Sequence, residues 1–195
     1  EHLKQQGFRI LSLAHSKDQI TSPANMELLG HVVLSDEIKE NTKETFDYFE
    51  SQGVEVKIIS GDNHMAVYGV ARKAGFKEEA RAIDMTKVSD EDFERVVLEH
   101  DIFGRVTPEQ KQKMVTILQK AGKTVAMSGD GVNDVLALKK ADISFAMNGA
   151  TSAAKSVSNI VFLTDDFAVF YDILMEGRRV INNIQKVASL FLTKT

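Results

Sequence analysis

The feature that most constrains the fold of this chain is a regular alternation of short apolar segments with segments of helical periodicity between residues 27 and 164. The strand-like segments are 27–34, 54–59, 80–85, 102–106, 124–127, 143–147 and 160–163. Strands that alternate with helices pair in parallel, because each helix returns the chain to the edge where the previous strand began. The alternation therefore predicts an α/β protein built on a doubly wound parallel sheet, with helices on both faces.

Both ends of the chain depart from this alternation. Residues 8–14 have the composition of a strand, and residues 15–25 are polar and contain Pro23, as loops and linkers do. From Asp166 onward there is no proline and one glycine, and apolar residues recur at helical spacing. These residues are Val180, Ile181, Ile184, Val187, Ala188 and Phe191. The pattern predicts a long C-terminal helix, either packed on the domain or continuing toward another part of a larger protein.

Two helix starts carry capping residues. The sequence Ser-Asp-Glu at 35–37 predicts a helix whose N-cap is the first or second of these residues. Thr107 followed by Pro108 predicts another helix, because proline suits the first helical position. We expect this second helix to turn Met114, Ile117 and Leu118 toward the core.

Composition excludes several classes of function. The 195 residues carry a formal net charge of −4, whereas nucleic-acid binding favours a basic patch, so we expect no nucleic-acid partner. Without cysteine, the chain forms neither disulfides nor thiolate metal sites. No apolar run approaches the roughly 20 residues that span a bilayer. The first residue is Glu1 and not Met, so we expect a piece of a longer or processed protein.

The stretch richest in chemistry is Met127-Ser128-Gly129-Asp130-Gly131-Val132-Asn133-Asp134. It joins a strand-like segment to a helical one, and parallel sheets bind ligands at this end of their strands. Glycines on both sides of Asp130 allow a sharp turn and close approach by a ligand. Asp130, Asn133 and Asp134 offer the hard oxygen atoms that Mg²⁺ prefers. A lone Gly-Asp-Gly would indicate only a capped turn, but the whole run indicates a metal site.

Two further stretches follow strand-like segments and suit a phosphoryl group. Ser60-Gly61-Asp62 offers a hydroxyl and backbone N–H groups at a helix N-terminus, where the helix dipole is positive. Lys111 lies about one turn into a helix and can neutralise a phosphate. Taken singly, the first is more simply a capped turn and the second a solvated lysine. Together with the metal turn, they predict a site that stabilises charge on a transferring phosphoryl group.

In combination, these segments resemble the phosphorylation domain of P-type (E1-E2) cation-transporting ATPases, which belong to the haloacid dehalogenase-like superfamily. The matching segments are Ile59-Ser60-Gly61-Asp62-Asn63, Gly104-Arg105-Val106-Thr107-Pro108-Glu109-Gln110-Lys111 and Gly129-Asp130-Gly131-Val132-Asn133-Asp134. Ala137-Leu138-Lys139-Lys140-Ala141-Asp142-Ile143 and Glu176-Gly177-Arg178-Arg179 extend the match. The resemblance covers roughly residues 27–195, and it implies a haloacid dehalogenase-like (Rossmannoid) fold.

The resemblance also implies roles for the phosphate-side residues. Ser60 and Gly61 would bind the phosphoryl group, and Asp62 would lie on the hinge side of the site. Lys111 would be the catalytic, phosphate-binding lysine. Arg105 matches a position near the bound nucleotide. The implied substrate is ATP.

On the metal side, the resemblance makes Asp130 a Mg²⁺ ligand, with Asn133 and Asp134 in supporting catalytic roles and Asp134 as the second metal-site carboxylate. The implied cofactors are Mg²⁺ and ATP. The implied activity is that of the parent protein, an ATP-driven cation pump that passes through an aspartyl phosphate.

The same resemblance divides the chain into three parts. Residues 1–25 resemble the tail of a nucleotide-binding domain with its linker, 26–175 the phosphorylation domain, and 176–195 the start of a stalk helix leading to the membrane. The parent would then be a membrane protein with this segment on its cytoplasmic side. The implied partners are ATP and the rest of the pump, namely its membrane helices, nucleotide-binding domain and actuator domain.

One departure from the family pattern is decisive. The family's nucleophile is the Asp of Asp-Lys-Thr-Gly-Thr, and this sequence does not contain that motif. We therefore expect the chain alone to form no aspartyl phosphate and to lack the central, nucleophile-bearing strand of the sheet. Residues 8–14 or a second chain are candidates to fill that position.

Two alternatives use the same loops. A soluble haloacid dehalogenase-like phosphatase would need a nucleophilic Asp near its N-terminus, but no Asp-x-Asp of that kind follows an apolar strand here. It would also have no use for a long apolar-striped C-terminal helix. A non-catalytic module that binds a nucleotide or a metal is the other alternative, and calorimetric titration with Mg²⁺ and nucleotide would separate weak binding from none.

Overall fold

The structure is a computed structural model that describes residues 8–16, 26–35, 38–39, 41–164, 166 and 169–193. The strands are β1 (Phe8–His15), β2 (Glu27–Ser35), β3 (Ile58–Ile59), β4 (Ala82–Asp84), β5 (Ile102–Gly104), β6 (Ala126–Gly129), β7 (Ile143–Ala146) and β8 (Ile160–Val161). The α-helices are α1 (Thr42–Ser51), α2 (His64–Lys73), α3 (Phe93–Glu99), α4 (Pro108–Lys120), α5 (Val135–Lys140), α6 (Ser152–Val157) and α7 (Val169–Leu192). Short 3₁₀ helices lie at Met85–Lys87 and Val132–Asp134.

The chain divides into two compact units. The first unit comprises Glu1–Ile38 and Lys57–Lys123, and the second comprises Lys39–Val56 and Thr124–Thr195. Each unit contains its own three-stranded parallel sheet, ordered β3-β5-β4 in the first and β6-β7-β8 in the second. The prediction of an α/β fold with parallel strands and a long C-terminal helix is therefore confirmed.

The parallel strands form two sheets where regular alternation of strands and helices predicts one. Among the described residues, β3 pairs only with β5, and β6 pairs only with β7. Each of these strands thus leaves one edge without a strand partner, and unpaired backbone groups at a strand edge are a ready template for another strand. Among the same residues, β4 and β8 are edge strands as well, so the absence of a central strand stays a prediction.

The N-terminal strand does not fill that position. β1 pairs with β2 in an antiparallel hairpin that runs from Phe8 opposite Ser35 to His15 opposite Glu27, with an irregularity in register after Leu13. The strand predicted at 27–34 therefore belongs to this hairpin and not to the parallel sheet. Only residues 16–26 separate the two strands in sequence, and parallel pairing would need a crossover connection of a dozen or more residues, so antiparallel pairing is the simpler geometry.

The core of the first unit lies between its sheet and the helices α3 and α4. Its buried residues are Met85, Phe93, Val96, Val97, Phe103, Val106, Met114 and Ile117. The predicted start of α4 is confirmed, because Thr107 and Gln110 form a reciprocal capping box with Pro108 at the first helical position. The inward positions of Met114 and Ile117 are confirmed as well.

In the second unit, an aromatic cluster joins the start of α7 to the sheet. The Phe170 ring lies 5.1 Å from Phe145 and 4.8 Å from Phe162, and both contacts are edge-to-face. It also lies 6.0 Å from Phe49 on α1. Aromatic pairs at such distances stabilise a contact beyond the area they bury. The N-terminal part of α7 is thereby fixed to this unit.

The rest of α7 carries the predicted apolar stripe, and its residues are exposed. They include Val180, Ile181, Ile184, Val187 and Phe191. Among the helices that the structure describes, none is long and apolar enough to cross a membrane. The described part of α7 therefore presents an apolar stripe to solvent.

The helix predicted to start at 35–37 begins later. Ser35 ends β2, and residues 36 and 37 lie outside the described residues. α1 starts at Thr42, after Asn41 in a left-handed conformation with φ of 70°. On this helix, Thr45 is buried.

We predict that Gly104→Ala destabilises the first unit. A Cβ at this position would lie 2.3 Å from the backbone nitrogen of His64, and backbone atoms cannot move aside as the end of a side chain can. We expect the free energy of unfolding to fall by about 3 kcal/mol, the upper part of the range for overpacking. Urea denaturation followed by circular dichroism measures the change.

Gly30→Ala in the same unit is the matched control, because a Cβ there meets nothing within 4 Å. We expect this variant to lie within about 0.5 kcal/mol of the parent sequence. Equal stabilities for the two variants would contradict the close approach of β5 to α2.

Candidate functional site

The first candidate turn, Ser60-Gly61-Asp62, is fastened to the chain segment that follows β5. The Ser60 N–H donates to the Phe103 carbonyl at 2.9 Å, and the Val106 N–H donates to the Ser60 carbonyl at 3.0 Å. The Arg105 N–H donates to the Asp62 carbonyl at 2.8 Å. The pairing of β3 with β5 thus continues beyond the strands and holds the turn in place.

The same turn leads directly into α2. The Asn63 side chain accepts a hydrogen bond from the Met65 N–H at 2.9 Å and caps the helix. The Ser60 Oγ accepts from the Asp62 N–H at 3.1 Å, so its own O–H is left to donate to a ligand. A Cβ built on Gly61 would meet nothing within 4 Å, so the backbone here is open to approach. A phosphoryl oxygen suits such a helix N-terminus.

Lys111 lies one turn into α4 and is buried, with 8% of its surface exposed. Its backbone N–H donates to the Thr107 carbonyl at 2.9 Å. Lysines are among the residues least often buried to this degree. By comparison, the Lys113 side chain on the same helix is 47% exposed and pairs with Asp90 at 3.0 Å. Lys111 is therefore not the solvated surface lysine that a helix position alone would suggest.

Arg105 has an unusual backbone and a buried acidic neighbour. Its φ of 55° lies in the left-handed region, which costs a residue with a Cβ about 1–2 kcal/mol. Its Nε lies 3.8 Å from Oδ2 of Asp84, which is only 5% exposed. His64 Nδ1 lies 3.7 Å from the same oxygen and is buried without a hydrogen-bond partner among the described residues. Arg105 and His64 thus both approach one carboxylate oxygen.

The pKa of the Asp84 carboxyl lies below its ordinary value. The hydrogen bond from the Thr86 hydroxyl is the main cause, and the Thr86 N–H, Arg105 and His64 add to it, whereas burial acts in the opposite direction. Asp84 is therefore a carboxylate at neutral pH.

Our sequence reasoning missed Asp84 and His64. The available signal was the position of Asp84 at the carboxyl end of a predicted strand, where ligands of parallel sheets bind.

The second candidate turn follows β6 and contains one buried and one exposed carboxylate. Asp134 is 7% exposed, and its Oδ2 accepts from the Gly131 N–H at 3.0 Å. A Cβ on Gly129 would lie 2.6 Å from the Cβ of Asp134, so only glycine permits this packing. Asp130 is exposed, and its carbonyl accepts from the Thr151 N–H at 2.8 Å. Asn133 is also exposed.

The donor atoms of this second turn fit Mg²⁺ better than a softer metal, because they are carboxylate and amide oxygens. Among the described residues, no group of three or more His, Asp or Glu side chains could hold a metal. Mg²⁺ does not require such a group, since it is usually bound by one or two carboxylates, several waters and a substrate phosphate. Asp130 and Asp134 meet that requirement.

The predicted site residues therefore fall into two sets. Ser60, Gly61 and Asp62 are joined to Arg105 through backbone hydrogen bonds in the first unit, which also contains Lys111. The second set, Asp130, Asn133 and Asp134, shares one turn of the second unit.

Comparison with known proteins identifies the family. The family model described as haloacid dehalogenase-like hydrolase matches residues 2–142. The chain belongs to the haloacid dehalogenase-like hydrolases. Two curated relatives match almost the whole chain. The probable cation-transporting ATPase exp7 of Streptococcus pneumoniae serotype 4 is 43% identical over 196 residues, covering 98% of this chain and 25% of that protein. The calcium-transporting ATPase CtpE of Mycobacterium tuberculosis is 44% identical over 198 residues, covering 100% of this chain and 25% of that protein.

The chain thus spans about a quarter of the length of these curated relatives. A solved structure of the catalytic domain of the CPx-ATPase CopB-B has a similar fold, with a TM-score of 0.58 and 19% sequence identity. The similarity covers 83% of this chain and 56% of that one. The haloacid dehalogenase-like fold of the chain is therefore supported by sequence and by structure.

We predict that Asp134 contributes to stability and that Asp130 does not. Asp134→Ala removes the acceptor of the Gly131 N–H and leaves a space beside Gly129, so we expect a loss of about 1–3 kcal/mol in the free energy of unfolding. Asp130→Ala in the same turn is the control and should change stability by less than about 0.5 kcal/mol, because its side chain is exposed. Thermal denaturation of the two variants measures both values, and equal losses would contradict the assignment.

Proposed function

We propose that the chain is part of an ATP-driven cation pump and contributes the phosphate-binding and Mg²⁺-binding residues for hydrolysis of ATP through an aspartyl phosphate. The observation that carries this proposal is the match of 98–100% of the chain to cation-transporting ATPases at 43–44% identity. The two open turns and the buried Lys111 support it, because phosphoryl transfer depends mainly on positioning and on stabilising charge.

The first unit would bind the phosphoryl group. The Ser60 hydroxyl and the backbone N–H groups of the Ser60-Gly61-Asp62 turn donate to phosphoryl oxygens at the N-terminus of α2. Lys111 supplies a positive charge from a buried position, where an ion pair with a phosphate is screened less than in water. Arg105 would contact the nucleotide. The backbone hydrogen bond from Arg105 to Asp62 supports that role, because it ties the two positions together.

The second unit would bind Mg²⁺. Asp130 is the exposed carboxylate that reaches the ion, and Asp134 is the second carboxylate, oriented by the Gly131 N–H. Asn133 offers an amide oxygen in the same turn. When bound, the ion neutralises part of the negative charge that develops on the transferring phosphoryl group.

The nucleophile would come from another part of the parent protein. The sequence contains no Asp-Lys-Thr-Gly-Thr, and the relatives are about four times as long as the matching region.

We further propose the division of the chain that the resemblance implies: 1–25 as the tail of a nucleotide-binding domain and linker, 26–175 as the phosphorylation domain, and 176–195 as the start of a stalk helix leading to the membrane. The exposed apolar stripe of α7 supports the last assignment. The partners would be ATP and the pump's membrane helices, nucleotide-binding domain and actuator domain, with this segment on the cytoplasmic side.

A soluble haloacid dehalogenase-like phosphatase remains the alternative function, since the family match alone is compatible with it. Such a phosphatase would need an Asp-x-Asp after an apolar strand, and this sequence has none. The relatives named above are both described as cation-transporting or calcium-transporting ATPases. The pump is therefore the better-supported proposal.

A chimaera tests the proposed function. We predict that the pneumococcal relative, with its matching quarter replaced by this chain, forms an acid-stable phosphoenzyme from ATP. Lys111→Met in the chimaera should lower phosphoenzyme formation by about tenfold to a hundredfold, the loss of one charged hydrogen bond to phosphate. Lys113→Met is the matched control and should leave the level unchanged, because this lysine pairs with Asp90 at the surface. A chimaera equally active with either substitution would contradict the role of Lys111.

We also predict that the 195-residue chain by itself forms no phosphoenzyme, because the family's nucleophilic motif is absent from its sequence. Incubation with Mg²⁺ and ATP labelled at the γ-phosphate, followed by acid precipitation, measures incorporation. A purified full-length cation-transporting ATPase serves as the positive control. Acid-stable label on the isolated chain would overturn the prediction and would point to the phosphatase alternative.

A further inference from the structure

The two oxygens of the Asp84 carboxylate have different surroundings. Oδ1 accepts from the Thr86 N–H at 3.1 Å and from the Thr86 hydroxyl at 2.6 Å, which caps the 3₁₀ helix Met85–Lys87. Oδ2 takes no part in the cap. It lies 3.8 Å from Arg105 Nε and 3.7 Å from His64 Nδ1.

The cap alone does not account for a charge at this position. An asparagine would accept the same hydrogen bonds without a charge, and it is as good a capping residue as aspartate. Burying a carboxylate is unfavourable unless it is paired. Asp84 is 5% exposed, so its charge requires a partner, and Arg105 is its guanidinium neighbour.

Arg105 also carries a feature that the backbone does not require. Glycine would adopt this left-handed conformation without strain. An arginine is strained here, which indicates that its side chain has a function at this position. The side chain is 51% exposed, and its contact with Asp84 is through Nε. The N–H groups at the end of the guanidinium therefore stay available for a ligand.

His64 limits the space on the other side of Oδ2. It is the first residue of α2, and its backbone lies against Gly104, where even a Cβ would overlap it. Its Nδ1 has no hydrogen-bond partner in the part of the chain that the structure describes. The carboxylate oxygen is thus held between a fixed imidazole and the arginine.

We propose that Asp84 is a positioning residue that holds the Arg105 guanidinium in place for a nucleoside di- or triphosphate. Binding is favoured because a long side chain held in one geometry loses less conformational entropy when the ligand arrives. This inference rests on the proposed nucleotide role of Arg105, and it adds a residue that our sequence reasoning did not assign.

The test is a titration of the 195-residue chain with ADP, followed by nuclear magnetic resonance, which measures weak binding. Asp84→Asn keeps the acceptor for Thr86 and removes the charge that faces Arg105. We expect the Kd for ADP to rise about three- to tenfold, the scale of one ordered side chain. Thr86→Ala is the matched control. It removes the hydroxyl from Oδ1 and leaves Oδ2 unchanged, so the Kd should not change.

A double-substitution cycle separates positioning from a merely structural role. In an Arg105→Gln background, Asp84→Asn should have no further effect on the Kd, because the side chain it positions is gone. An equal rise in both backgrounds, or an equal rise with Thr86→Ala, would overturn the inference and leave the proposed role of Arg105 intact. If neither the parent chain nor the Arg105→Gln variant responds to ADP, the nucleotide role of Arg105 is overturned, and the inference about Asp84 is overturned with it.

Discussion

The parallel pairing of β3 with β5 is the interaction on which the first candidate turn depends. It continues past both strands, so that the Ser60 and Asp62 carbonyls accept hydrogen bonds from N–H groups of the segment after β5. Because Gly104 has no side chain, α2 can start against the end of β5. One backbone register thereby sets the turn, the N-terminus of α2 and the left-handed Arg105, and the same segment continues into the capped start of α4.

The second candidate turn is held by a buried side chain and not by strand pairing. Gly129 leaves space for the buried Asp134, and Asp134 binds the Gly131 N–H, so the turn is closed upon its own carboxylate. Asp130 is left exposed and free to reach an ion. The two carboxylates therefore have different surroundings within a few residues of each other: Asp134 is buried and accepts a backbone hydrogen bond, and Asp130 is exposed.

Much of the fold and of the candidate site could be predicted from local pattern. Helix starts such as Thr107-Pro108 can be predicted from capping residues, and the burial of Met114 and Ile117 from helical periodicity. Both kinds of signal depend on residues that are close in sequence. The partners with which the strands pair were harder to predict. The segment at 27–34 has the composition of a strand in either setting, and only the folded chain shows that it joins β1 in a hairpin. Asp84 was missed for a similar reason, since Arg105 and His64 are distant from it in sequence.

The sequence by itself determined which residues could do the chemistry. The glycine-flanked Asp130, the hydroxyl turn and Lys111 are recognisable as candidates because their residue types and spacing would suit a phosphoryl group and its metal ion. The tertiary structure alone decided that Lys111 is buried, that Asp134 is buried while Asp130 is exposed, and that Asp84 lies beside Arg105. The physical reason is that burial and ion pairing depend on contacts between segments far apart along the chain, which residue type and spacing do not specify.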